Sequence, residues 1–293
     1  MSRTALQIAR WNAADYAAHS VVQQAWAREL IAELNLRGDE HVLDVGCGDG
    51  KVTAEIARAV PRGSATGIDA SPQMIRFARA AFPPGKNPNL RFHVMDARRI
   101  GGGNAPSPSS GRLTSGDGGV AATRKFDIVF SNAALHWVDD HQAFLRGAAA
   151  CLRSGGRLVV SCGGKGNAQE VFLALRPEMR LKRWRRFFRK MEKPYFFHSP
   201  EIYEEWLPQF GFKMISIRLV PKDAVHAGFD GLAAWLRTTW LPYTQRVPDD
   251  LREEFIAAVA TRYFAKHPPD DAGRVHVRMV RLEIDAERVT CDA

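Results

Sequence analysis

The chain has 293 residues, 45% of them hydrophobic, and a formal net charge of +9. That length and apolar content support one large domain or two small ones with a real core, and no stretch approaches the ~18 uninterrupted apolar residues of a membrane span. The charge is not spread as on a nucleic-acid reader: residues 176–193, RPEMRLKRWRRFFRKMEK, hold nine Lys/Arg against two Glu, a net +7, so the rest of the chain is close to balanced.

Short β-branched, mostly apolar stretches alternate with helical ones through the first half. HVLDV (41–45), SATGID (64–69), LRFHVMD (90–96), FDIVFS (126–131) and RLVVSC (157–162) read as strands buried on both faces. Between them, 51–60, 72–82 (with Pro72 in the first turn after Ser71) and 140–152 read as helices. This βα alternation predicts a doubly wound parallel sheet with ligands bound at the carboxyl ends of its strands. The run 101–125, rich in Gly, Ser and Pro, is expected to form a flexible surface insertion after the third strand. Beyond Cys162 the rhythm changes: 168–193, 200–209, 230–241 and 249–266 read as helices, 212–220 and 274–289 as strands. The expected division is a core at 25–163, a mainly helical cap from 1–24 and 164–273 that includes strand 212–220, and a final core strand at 274–289.

The N-terminal run MSRTALQIARWNAADYA has no apolar core and no small-residue cleavage site, so no signal peptide is expected. Cys47, Cys151, Cys162 and Cys291 form no CxxC pair, which suits a reduced, cytoplasmic protein and argues against a disulfide framework or a metal site.

Gly46, Gly48 and Gly50 follow the first strand and open a helix, where backbone amides can approach a ligand. A tight strand-to-helix turn would carry the same glycines. Lys51 stands where the G-x-G-x-x-G dinucleotide fingerprint has its third glycine, which speaks against a dehydrogenase. Asp44 precedes the loop, Asp69 ends the second strand, and Asp96 ends the third. Three acids at strand ends describe a pocket for an ammonium group, a ribose and an adenine amine.

In that order and spacing, LDVGCGDG, GIDASPQMI, MDA and FDIVFSNAALHWVDD resemble class I S-adenosylmethionine-dependent methyltransferases over about residues 39–163. The resemblance implies a Rossmann-like α/β fold with a seven-stranded sheet whose last strand is antiparallel. It implies S-adenosyl-L-methionine as cofactor, with S-adenosyl-L-homocysteine as product. By the same resemblance Gly46, Cys47 and Gly48 line the methionine end with Asp44 near its amino group, and Asn132 contacts the methionine moiety. Asp69 holds the ribose hydroxyls, Ala70 and Met74 flank the adenosine, and Asp96 and Ala97 lie at the adenine edge.

The sequence Ser131-Asn132-Ala133-Ala134-Leu135-His136-Trp137 replaces the N-P-P-Y of base-directed members, leaving small-molecule acceptors. The flanks are similar to bacterial trans-aconitate and insect juvenile hormone acid methyltransferases, both of which methylate carboxylates. That similarity implies Gln23 and Trp137 as the residues that hold an acceptor carboxylate. The expected acceptor is a small, anionic molecule; the alternatives are a phenol or amine with His136 as base, or a cofactor-binding partner of RNA. For the basic segment 176–193 three readings stand: a solvated cap helix, an attractor of anionic substrate, or an RNA or membrane contact.

Overall fold

The computed structural model describes residues 21–102 and 125–289. Most of the expected insertion, and the N-terminal twenty residues of the expected cap, lie outside the described residues.

Helix α1 (Val21–Glu33) leads into the alternating unit β1 (His41–Val45), α2 (Lys51–Ala59), β2 (Ser64–Asp69), α3 (Pro72–Ala81), β3 (Leu90–Val94), β4 (Phe126–Asn132), α4 (His141–Cys151) and β5 (Leu152–Gly163). Then come α5 (Gln169–Arg180), α6 (Pro200–Gln209), β6 (Phe212–Ala227), α7 (Gly228–Thr239), the short α8 (Leu241–Thr244), α9 (Asp249–Phe264) and β7 (Arg274–Arg288). The helix starts follow local chemistry. Ser71 accepts the Met74 N–H at 3.3 Å and Pro72 fixes the first turn of α3, while Asp140 accepts the Ala143 N–H at 2.8 Å to begin α4.

The strands form one seven-stranded sheet in the order β3-β2-β1-β4-β5-β7-β6. β1 to β5 pair in parallel, and β7 runs antiparallel to both β5 and β6. This is the expected Rossmann-like sheet with its last strand reversed. Alternation along the strands divides the core. Leu43, Val45 and Val129 face α4 and α6 with Phe144 and Leu207, whereas Val42, Ile128 and Phe130 face α2 and α3 with Ile56 and Ala78. A third core lies beyond the strand ends, where α5, α7 and α9 pack Leu175, Leu236 and Phe255 around Val275 and Val277 at the start of β7.

Several boundaries differ from the sequence reading. β6 continues seven residues past Val220, through Pro221, because it is the sheet's edge and a proline there forfeits no ladder partner on its open side. β5 begins at Leu152, where α4 stops. The expected helix 168–193 ends at Arg180: Leu181 turns extended (φ −59°, ψ 143°), and the chain resumes only as a 3₁₀ turn at Arg185–Phe188. The basic segment is therefore a broken, wrapping stretch anchored by the buried Trp184, not one amphipathic helix. β3 stops at Val94, so Asp96 lies in the following loop.

Candidate active site

Two clefts meet at the carboxyl ends of β1, β2, β4 and β5. The first, with about 740 Å³ of open space, is lined by Gly46, Gly48, Asp69, Ala70, Met74, Asp96 and Ala97, which brings seven of the sequence-expected cofactor residues to one surface. A narrower recess beside it is lined by Asp44, Cys47, Asn132 and again Gly46 and Gly48.

The glycine turn is held by backbone and packing. The Gly46 and Cys47 N–H groups both donate to the Ile68 carbonyl, at 2.8 and 2.9 Å. Gly46 has φ +79°, and a Cβ there would lie 2.1 Å from that of Ala134; one at Gly50 (φ +82°) would meet Phe92 and Ala78. The side chains at these two positions are thus excluded by the protein itself, as a tight strand-to-helix turn requires.

Asp69 ties the loop to β2. Its Oδ2 accepts the Gly48 N–H at 3.0 Å and its Oδ1 accepts the Ser71 N–H at 2.8 Å, which leaves each oxygen a further lone pair toward the cleft. Burial pushes its carboxyl up, and the two amides oppose that rise. Asp44 is more deeply enclosed. Thr53 Oγ1 donates to its Oδ2 at 2.7 Å, yet burial lifts its carboxyl to about 7. Asp96 caps the 3₁₀ turn Ala97–Arg99 and pairs with the Arg98 guanidinium, Nη2 to Oδ2 at 2.6 Å. Burial acts to raise Asp96, but its hydrogen bonds with Arg98 outweigh it and the carboxyl is held low. Arg98 also reaches Asp139 at 2.9 Å and lines the cleft. Sequence reasoning passed over it; the one signal was an arginine two residues after a strand-end acid.

The second cleft, with about 630 Å³ of open space, shares Ala133 and Trp137 with the first. Its walls are Trp26, Trp137, Tyr195, Phe197, Trp235 and Trp240. The Trp137 and Tyr195 rings meet edge-on at 4.8 Å, and Tyr195 stacks on Phe197 at 5.4 Å. His136 lines this cleft. Its Nδ1 accepts the Gly163 N–H at 3.3 Å, and burial, with Arg281 and His141 nearby, lowers its pKa to about 3. Gln23 lies on α1, and its side chain is outside the described part.

Arg281, on β7, also lines the cleft and is only 3% exposed. It donates to Ser161 Oγ and O and to Asn132 Oδ1, and its guanidinium lies over the Trp26 ring at 5.5 Å. It was not a candidate from the sequence. The usable signal was parity: in VHVRMVR, Arg281 shares its face with Val275 and Val277, both fully buried.

A parallel sheet whose strand ends carry a glycine turn and three acids, with one reversed strand near its edge, defines the class I methyltransferase architecture. A family profile for the methyltransferase domain matches residues 17–217, more than half of the chain. The chain belongs to that family and is an S-adenosylmethionine-dependent methyltransferase of class I. It is 31% identical over 211 residues to an uncharacterised methyltransferase of Schizosaccharomyces pombe, covering 69% of this chain and 70% of that one. It is 27% identical over 295 residues to trans-aconitate 2-methyltransferase of Methylobacterium nodulans, covering 96% and 99%. Among solved structures, the fold is similar to a methyltransferase candidate of Bacillus halodurans (TM-score 0.57, 19% identity, 91% of this chain and 100% of that one). It is also similar to phosphoethanolamine N-methyltransferase 2 of Haemonchus contortus, solved with S-adenosylhomocysteine (TM-score 0.53, 14% identity, 91% and 53%). S-adenosyl-L-methionine is the cofactor of this chain. The first cleft and the recess beside it suit it together: Asp69 in the cleft keeps acceptor capacity for hydroxyl groups, and Asp44 in the recess offers a buried carboxyl to an ammonium group. Among the described residues no helix is long and apolar enough to cross a membrane.

Proposed function

We propose that this methyltransferase O-methylates a small carboxylic acid. The observation that supports it is the lining of the aromatic cleft: among the described residues there is no Asp, Glu or Lys. His136 is neutral, with Nδ1 engaged by the Gly163 amide, and burial holds its basicity far below what a general base needs near pH 7. Tyr195 donates to the Thr239 carbonyl at 3.1 Å, and burial pushes its phenol up. A phenol or ammonium acceptor would need a proton removed in a cleft with no group suited to take it. A carboxylate, with a reference pKa of about 4, arrives ionised. The relatives named as trans-aconitate 2-methyltransferases support the same acceptor class.

When bound, the cofactor supplies an electrophilic methyl on a sulfonium, which becomes a neutral thioether as the methyl passes to the acid. The chain's part is to bind, align and keep water out. We assign Asp69 to the ribose hydroxyls, Asp44 to the amino group, and Gly46, Cys47, Gly48 and Asn132 to the methionine end. Ala70 and Met74 are assigned to the adenosine, and Asp96 and Ala97 to the adenine edge. Trp137 lines both clefts and is assigned to the accepting carboxylate; the sequence resemblance adds Gln23. His136 is assigned a positioning role, its Nδ1 fixed by Gly163.

The test is the lability of the product. Protein incubated with methyl-labelled cofactor and a panel of carboxylic acids should yield label that mild alkali releases as methanol, as esters do and ethers or methylamines do not. With the cofactor saturating, log kcat/KM for the acid should stay flat between about pH 6 and 8. An alkali-stable methyl group, or a unit slope in that range, overturns the proposal.

A further inference from the structure

We infer that Asn167 and His136 form a seat of fixed N–H donors in the aromatic cleft, which holds the acceptor's carboxylate by the oxygen that does not attack. This rests on the carboxylate reading above and adds to it a residue, Asn167, that the sequence did not single out.

Each side chain has its acceptor atom taken by a backbone amide. The Val280 N–H of β7 donates to Asn167 Oδ1 at 2.9 Å, which fixes the orientation of the side-chain amide and leaves both Nδ2 protons to point elsewhere. The Gly163 N–H donates to His136 Nδ1 at 3.3 Å, so the neutral ring carries its proton on Nε2. Burial lowers the ring's pKa to about 3, so that tautomer persists at any working pH. Both residues line the cleft, and among the described residues no group accepts from Asn167 Nδ2 or His136 Nε2. Neither nitrogen is sealed inside the protein, so both open on the cleft.

The two side chains meet at one glycine. A Cβ at Gly163 would come 2.8 Å from Asn167 Nδ2 and 2.7 Å from the Phe197 ring, and the amide of the same residue holds His136. A larger residue there would push Asn167 out of the wall. Asn167 is otherwise buried, its own N–H bound to the Gly164 carbonyl at 3.0 Å. The donors are therefore set before any ligand arrives, which lowers the cost of ordering on binding. They also lie beside the transfer point, since the His136 ring is 5.6 Å from that of Trp137, which lines both clefts.

A carboxylate has two oxygens. One uses a lone pair to form the new O–C bond while the S–C bond breaks and its electrons stay on sulfur; the other becomes the ester carbonyl. Donors on the second oxygen orient the first without occupying its lone pairs. As charge leaves the carboxylate these hydrogen bonds weaken, so the seat contributes to holding the acid more than to lowering the barrier. An ammonium ion would meet these N–H groups with N–H of its own.

The test is a switch of ligand preference in the full chain, with S-adenosylhomocysteine present at pH 8 and tryptophan fluorescence as readout. Phenylacetate and phenethylamine are the probes, an aryl body with an anionic or a cationic head. Asn167→Asp keeps the oxygen that Val280 binds and replaces the donor by a second acceptor. Wild type should bind the acid at least tenfold tighter than the amine, and Asn167→Asp should reverse that order. His136→Phe keeps a ring against Trp137 and Tyr195 but has no N–H. Its acid affinity should fall about fivefold with amine affinity unchanged. In both variants S-adenosylhomocysteine affinity should stay within threefold, and KM for any acid that is methylated should rise while kcat stays within threefold. If neither variant folds, nitrogen NMR of the wild-type imidazole decides: it should show the Nε2–H tautomer, with that resonance shifting when phenylacetate is added. The Nδ1–H tautomer, an acid preference that survives Asn167→Asp, or no phenylacetate binding at millimolar concentration would each overturn the seat. Ester formation tells the two readings apart. Acid binding that depends on both residues, with no acid ever esterified, leaves the seat and sinks carboxyl methylation. Esterification whose KM ignores both substitutions does the reverse.

Discussion

In the cofactor cleft three acids are each fixed close to their own strand end, Asp69 by the amides of Gly48 and Ser71, Asp44 by Thr53 and Asp96 by Arg98, which also lines the cleft. Among the described residues of the aromatic cleft the walls come from Trp26, Trp137, Tyr195, Trp235 and Trp240, segments spread from α1 to the start of α8, with Arg281 of β7 hydrogen-bonded beside them. The two clefts share Ala133 and Trp137, so both open on one junction. That junction is where the methyl of the cofactor would meet the proposed carboxylate, the two charges disappearing together in the transfer. The acidic side binds by local backbone geometry and the aromatic side by long-range packing. Damage to one should leave the other largely intact.

The largest expected effect tests that independence. Asp69→Ala removes a carboxylate from the cofactor cleft and frees the Gly48 amide, and hydrogen bonds to charged groups contribute roughly 1.5–3 kcal/mol each. Calorimetry should show S-adenosylhomocysteine binding weakened by more than tenfold, with acid binding in the other cleft changed less than threefold. Unchanged cofactor affinity would reject the assigned pocket. A matching loss in both clefts would mean that they are not separable. The converse variant, Trp137→Phe, keeps a ring in a position only 7% exposed but removes the indole N–H. Turnover should fall about tenfold while S-adenosylhomocysteine affinity stays within threefold. Equal losses would make Trp137 a support of the fold instead of an acceptor contact.

A smaller effect, in stability, sharpens the acidic side. Burial lifts the Asp44 carboxyl from its ordinary 3.8 to about 7. A raised folded pKa contributes stability that is complete below about pH 4 and is lost as pH climbs toward 7, because the buried carboxyl is forced to ionise. Asp44→Asn removes the ionisation, so in the absence of cofactor the variant should melt higher than wild type at pH 8. The gain should shrink toward zero by pH 4. The same variant should bind S-adenosylhomocysteine more weakly, having lost the partner for its ammonium group. A melting difference independent of pH would show that Asp44 does not titrate in this range.

The contrast between the clefts also explains what could be read from the sequence. Asp44, Gly46, Cys47, Gly48 and Asp69 lie within 26 residues, and their spacing reflects one strand-turn-helix-strand unit, so they are legible in the sequence alone. Asp96 was found but placed on a strand; its pairing with Arg98, which sets its charge, is a property of a 3₁₀ turn that strand patterns do not encode. Tyr195 and Arg281 line one cleft only because α5, α7 and α9 pack against the start of β7, and no local period announces such a meeting. Arg281 left only a parity clue, an arginine on the buried face of an alternating strand. The end of the basic helix at Arg180 was hidden because apolar residues continue at helical spacing, whereas the chain turns at Leu181 to seat Trp184 against Phe255.

The smallest expected effect concerns that basic segment. Arg183 pairs with Glu254 and covers the Trp184 ring at 4.5 Å, while Arg185 and Arg186 are exposed, and none of the three lines the aromatic cleft or the groove leading to it. Arg176 and Lys193, from the two ends of the same segment, do line that groove. Screening weakens exposed charges beyond about 8–10 Å in physiological salt, so only the charges beside the path should steer an anion. Replacing Arg183, Arg185 and Arg186 together by glutamine should therefore leave the association rate of a carboxylic acid substrate, and its salt dependence, within about twofold of wild type. Arg176→Gln with Lys193→Gln should slow association by about two- to fivefold at low salt and have little effect at high salt. Stopped-flow fluorescence at two ionic strengths measures both. If the triple variant loses the salt dependence and the pair keeps it, attraction is set by the broken basic stretch as a whole, and the aromatic cleft draws its ligand from a far wider surface than its own rim.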